Sequence, residues 1–161
     1  MTPLVTKDEL HTVWLEPLRA FKTMRLIANE WSGLNTGNAM QDGFRDVLME
    51  LWSAERRLIS YPKIAVLYND STPIGVLSGV DWPSRKRFYI ESLIVHPVLS
   101  DPGMVHHVYH LLIEAAMDRS HKQGWHGWIE TTAPDEQRRL WTDLRFPNCA
   151  HVTYCRMGYF E

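Results

Sequence analysis

Three scarcities narrow the reading of this sequence. Only two cysteines occur in 161 residues, Cys149 and Cys155. They fall within what reads as one C-terminal strand, where ~3.3 Å per residue would set them about 20 Å apart, far beyond disulfide reach. A reducing, cytoplasmic setting is the default expectation. Long apolar runs are also missing. Nothing approaches the roughly 18–20 residues that span a bilayer, and residues 1–10 show no basic region followed by an apolar one. Neither a membrane span nor a signal peptide is expected. Charge of one sign is the third scarcity: 17 Lys and Arg stand against 19 Asp and Glu, for a formal −2. That leaves no overall basic field for nucleic acid or an acidic membrane. The local runs Arg56-Arg57, Arg85-Lys86-Arg87 and Arg138-Arg139 read as solvated faces.

What is present fits one globular α+β domain spanning residues 1–161, with 45% hydrophobic and 22% charged residues. Residues 2–5 read as a short strand, and Thr6 with Glu9 as a capping box. Leu10, Val13, Trp14, Leu18, Phe21 and Met24 recur at helical spacing, interrupted by Pro17. Residues 32–41 read as a loop. Phe44, Val47, Leu48, Leu51, Trp52 and Leu58 mark a second helix. Residues 63–68 and 72–80 form strands joined by Asn69-Asp70-Ser71, an antiparallel hairpin. A strand over 88–95, a turn at 100–103, a helix from Met104 to about Ser120 and a strand over 125–130 make a βαβ unit. A short helix over 134–144 follows. The end holds one strand over 150–160 or two very short ones, and a single strand would leave an edge open to a partner chain.

Glu91-Ser92-Leu93-Ile94-Val95-His96-Pro97 resembles the E-x-L-x-V-x-P fourth strand of the GNAT superfamily of acyl-CoA N-acyltransferases. Trp128-Ile129-Glu130 is similar to its fifth strand, and Leu140-Trp141-Thr142-Asp143-Leu144-Arg145-Phe146 to its L-Y-x-x-L-G-F helix. The resemblance implies a mixed, mostly antiparallel sheet with a βαβ unit at the fourth and fifth strands and flanking helices. It implies acetyl-CoA as cosubstrate, with the pantetheine arm between those strands beside Leu93, Ile94 and Val95. The pyrophosphate would then lie on the loop Ser100, Asp101, Pro102, Gly103, Met104 and Val105. The family pattern there is R/Q-x-x-G-x-G/A, and only Gly103 matches. Ser100 brings no positive charge, Pro102 no N–H, and Asp101 a repulsive carboxylate.

Acyl transfer to an amine needs a base and an acid for the departing thiolate. Glu130 and Glu91 are the candidate bases. The family's acid position holds Trp141, whose indole cannot shuttle a proton, and its asparagine position holds Pro134. Tyr109, Tyr154 or a histidine is the substitute. His106, His107 and His110 head the crossover helix without the further ligands a metal needs. Trp14 and Trp52 read as core, Trp31 and Trp82 as a substrate mouth or partner surface. The expected function is acetyl transfer to an amine of a small molecule or protein. The alternative is a GNAT-fold structural or interaction protein without catalysis, of bacterial or phage source. Acceptor and oligomeric state have no code in the sequence.

Overall fold

The computed structural model describes residues 10–34, 43–49, 51, 62–150 and 152–156. In chain order these form β1 (Leu10–Trp14), α1 (Pro17–Ser32), a helix α2 (43–49), β2 (Lys63–Asn69), β3 (Thr72–Trp82), β4 (Arg87–Val95), α3 (Pro102–Lys122), β5 (Ile129–Thr132), α4 (Arg138–Asp143), β6 (Asn148–Ala150) and β7 (Thr153–Arg156). Residues 2–5, the Thr6–Glu9 capping box, Arg56-Arg57 and Trp52 lie outside the described residues. One sheet runs in the order β1-β2-β3-β4-β5-β7-β6. Every neighbouring pair is antiparallel except β4 and β5. This is the mixed, mostly antiparallel α+β architecture expected.

Alternation along the strands divides the apolar side chains into two layers. On one face α3 lays Val108, Leu112, Ile113 and Ala116 over Leu67, Leu77, Phe88, Ile90 and Ile129. On the other, Ala20, Met24, Ile27 and Trp31 of α1 meet Ile64, Val66, Val76 and Ile94, with Phe44 and Val47 of α2 beside them. Asp81 and Arg119 join the end of β3 to the end of α3 through paired bonds of 2.8 and 2.6 Å.

Four expectations need correction. Residues 10–14 are a strand, not the start of a helix. Leu10 and Trp14 belong to β1, and Pro17 opens α1 at its first turn, where a missing N–H costs nothing. The apparent helical spacing was a sum over two elements. The fifth strand starts at Ile129, because residues 125–128 form a turn in which Gly127 takes φ 75°. The C-terminal part is two short strands, β6 and β7, the second of the two arrangements expected, so the separation of about 20 Å for the cysteines along one strand does not hold. Their pairing, Asn148↔Tyr154 and Ala150↔Thr153, folds the two cysteines back onto each other. Both thiols are free, and burial with a hydrogen bond to Cys149 pushes the Cys155 thiol up to about 12. Lastly, Trp31 is fully buried and edge-on to Phe44 and His96, so it is core rather than a mouth residue.

Candidate active site

The site begins where two strands part. β4 and β5 pair only at Phe88↔Ile129, Tyr89↔Glu130 and Ile90↔Thr131. On its other edge, β4 pairs Ile90 with Gly79 and Ser92 with Ser78, which leaves Glu91 as the extra residue of a β-bulge. Gly79 makes the bulge sterically feasible. A Cβ there would stand 2.3 Å from the Tyr89 carbonyl and 2.6 Å from the Phe88 ring. At the crotch of the fork Thr131 Oγ1 donates to the Ile90 carbonyl at 3.0 Å, satisfying a backbone group where the ladder stops.

Beyond that point β4 and β5 enclose a cleft of about 830 Å³. Leu93, Ile94, Val95 and Val105 line it, as do Glu91, His96 and Tyr109. Thr131 to Pro134 and Trp141 close the opposite wall. Alternate N–H and C=O groups of residues 91–95 that do not face β3 open onto this space. Ser100, Gly103 and Met104 fall outside its lining. Asp101 explains part of this: it is the N-cap of α3, and its Oδ2 accepts from the Met104 N–H at 2.8 Å. The Val105 N–H donates to the Asp101 carbonyl at 3.0 Å, and Pro102 has no N–H. The helix start therefore satisfies most of its own donors and carries a carboxylate.

A second pocket of about 410 Å³ adjoins the cleft and shares Gly43, Asp46, Glu91 and Ser92 with it. Ser78 and Ser92 hydrogen-bond across its floor at 2.7 Å. Glu91 is exposed here, at the bulge. Glu130 has a different setting. It is 3% exposed and paired with Arg87 Nη1 at 2.7 Å and Arg85 Nη1 at 3.4 Å. It lines a third pocket with Trp82, Arg85 and Tyr89, not the cleft. Of the Arg85-Lys86-Arg87 run, Arg85 and Lys86 are exposed as expected, while Arg87 turns inward onto Glu130. Sequence reasoning missed this because the pairing crosses 43 positions of chain.

Among the acid candidates, Tyr109 lines the cleft, and burial raises its phenol above the ordinary tyrosine value. Tyr154 is fully buried against Trp141, outside the cleft lining. Trp141 donates Nε1–H to Gln137 at 3.4 Å and is 5% exposed. Arg145 stands at the glycine position of the L-G-F pattern and takes φ 63°. It closes α4 in a Schellman-type turn, with the Phe146 N–H on the Trp141 carbonyl at 2.9 Å. His106 and His110 lie edge to face at 4.9 Å, and burial first, then His106 and Arg156, lowers the His110 pKa. Among the described residues no group of three or more His, Cys, Asp or Glu is placed to hold a metal.

His96 closes the cleft at the end of β4. Its Nδ1 accepts from the Val98 N–H at 3.2 Å, and burial, partly opposed by Glu30, lowers its pKa. The unfolded chain takes up this proton near pH 6.5 while the folded one resists it. Stability is therefore fully present above pH 6.5 and falls with pH from there toward the lowered folded value. The slope is at most about 1.4 kcal/mol per pH unit for this one proton. Urea midpoints at pH 7.5 and 5.5 should show the loss, and His96→Gln should flatten it.

No protein-family model matches the chain, and no curated protein sequence does. Solved structures do. A structure of the AtaT mutant toxin bound to the C-terminus of the antitoxin AtaR and acetyl-CoA is 13% identical, covering 93% of this chain and 94% of its own, with a TM-score of 0.57. A GNAT family acetyltransferase from Brucella melitensis in complex with acetyl-CoA is 12% identical over 94% and 90% of the two chains, with a TM-score of 0.54. Ribosomal-protein-S5-alanine acetyltransferase from Vibrio fischeri is 10% identical over 95% of each chain, with a TM-score of 0.54. This chain is a divergent member of the GNAT fold. The GNAT fold accounts for the forked sheet, and at these identities it speaks for architecture alone.

Proposed function

We propose that this protein is an N-acyltransferase that moves an acetyl group from acetyl-CoA to an amine. The observation that carries the reading is the fork: a cleft of about 830 Å³ between β4 and β5 that opens beside an exposed carboxylate on a bulge. The GNAT structures with bound acetyl-CoA support it as relatives in fold. In this reading the open backbone groups of Leu93, Ile94 and Val95 hold the pantetheine arm. Gly103 offers the remaining N–H of the α3 start, and Ser100, Met104 and Val105 form the ledge beneath the diphosphate. The thioester supplies an activated acyl carbon. Glu91 takes the proton that the attacking amine loses, directly or through water. Tyr109, a protonated phenol at neutral pH that lines the cleft, gives a proton to the departing thiolate. Glu130 is the second candidate base, and its two arginines argue for a structural part instead. The cytoplasm, where acetyl-CoA is at hand, is the compartment this chemistry requires.

One observation favours a second reading. The Asp101 cap occupies the helix start where a diphosphate would be held, which suits a GNAT-fold interaction protein without catalysis. The AtaT structure, with an antitoxin C-terminus bound, supports a protein partner for this chain, and the edge strand β6 is where we place it. Calorimetric titration separates the readings. Acetyl-CoA should bind, and Asp101→Ser, which keeps a cap while removing the charge, should tighten binding several-fold. No binding at millimolar acetyl-CoA by either form would sink the enzyme reading. Tyr109→Phe should lower kcat about 10- to 100-fold at unchanged acetyl-CoA affinity, checked by steady-state kinetics.

A further inference from the structure

The third pocket, of about 440 Å³, lies on the same face of the sheet as the acceptor side of the cleft, and Tyr89 lines both it and the pocket holding Glu91. The two ends of this groove differ in charge. Around Glu91 the described lining includes two carboxylates, Asp46 and Glu91. At the other end the lining holds one guanidinium, Arg85, with the carboxylates of Glu130 and Asp81, and these two are paired from outside the lining by Arg87 and Arg119, so the cluster of five carries one positive charge in excess. Arg85 is the most exposed of the five, at 48% of its side chain, against 22% or less for the rest. Its guanidinium sits 4.9 Å from the centre of the Trp82 ring, which packs edge-on against Tyr89 at 5.7 Å. The cation is thus oriented by an aromatic wall and a buried carboxylate. A single contact to Glu130 leaves most of its five N–H donors for other acceptors.

We infer that this groove takes an acceptor with an amine at one end and an anionic group at the other, the anion held by Arg85 against Trp82 and Tyr89. The span is roughly 7 Å along β4 from Glu91 to Tyr89 and one strand spacing, about 4.8 Å, across to Glu130. Five extended methylene groups between amine and carboxylate fit that span. Arg87 cannot take this part, because it is committed to Glu130 at 2.7 Å and to Cys155 Sγ at 3.5 Å. The inference names the acceptor class for the acyl transfer proposed above and rests on that reading for the amine end.

The test compares 6-aminohexanoate, hexylamine and 1,6-diaminohexane, first by calorimetric binding and tryptophan fluorescence, then as acceptors with acetyl-CoA. 6-Aminohexanoate should bind at least about tenfold more tightly than hexylamine. Arg85→Met should erase the difference, and Arg85→Lys should restore part of it. The inference is overturned if hexylamine or the diamine binds equally well, if the preference survives Arg85→Met, or if 6-aminohexanoate does not bind. Binding that depends on Arg85 without any acetylation would leave the subsite standing and remove the acyltransferase reading.

Discussion

Glu91→Gln is expected to lower kcat/KM for acyl transfer by a factor of about 10²–10³ and to leave the acetyl-CoA dissociation constant unchanged. The argument is positional. Glu91 is the residue that the bulge adds to β4, one step past the last β4–β5 pair, and it lines both the donor cleft and the acceptor pocket. A base must reach the amine as it meets the thioester carbon, and this carboxylate stands at the junction of the two spaces. Asp46 shares both linings but comes from α2, across from the fork. Asp46→Asn should therefore raise the acceptor KM more than it lowers kcat. Steady-state kinetics with calorimetry on both variants reads the difference. A Glu91→Gln enzyme within threefold of wild type would assign the proton to another group and reopen the case for Glu130.

The second large effect is on stability. Arg87→Met is expected to cost about 3–5 kcal/mol, because it strands the Glu130 carboxylate at 3% exposure. Arg85 remains 3.4 Å away, which favours the lower end of that range. Arg85→Met, at an exposed position, should cost under about 1 kcal/mol. Replacing both members of the inner pair, Arg87→Met with Glu130→Leu, should recover most of the loss, since no charge is then left buried. Urea unfolding of the three variants decides this. Equal losses for Arg87→Met and the double variant would show that the ion pair is not what holds this end of the sheet.

The βαβ unit was legible because its signals are local. Apolar residues dominate 88–95, Pro102 and Gly103 mark the helix start, and a 21-residue helix leads to the next strand. The site was legible only by half. Glu91 could be read as a strand glutamate, but its bulge depends on Gly79, twelve residues earlier, whose missing Cβ lets β3 approach β4. Glu130 could be read as well, yet its partners Arg87 and Arg85 stand at and before the start of the neighbouring strand β4, and parallel register leaves no mark in local spacing. The same limit misled the reading of Trp31. Its neighbours His96 and Phe44 come from other elements, so an aromatic near a loop looked exposed. The strand at 10–14 was mistaken for a helix because two adjoining elements mimicked one period.

Three residue pairs join β4 to β5, against seven or eight along each neighbouring seam of β3. The sheet is in effect two plates meeting along one short hinge line, braced by α3. Rotation of the β5-β7-β6 plate about Phe88–Ile90 would widen or narrow the cleft while leaving the ladders within each plate intact. The gap can thus follow the girth of what lies in it.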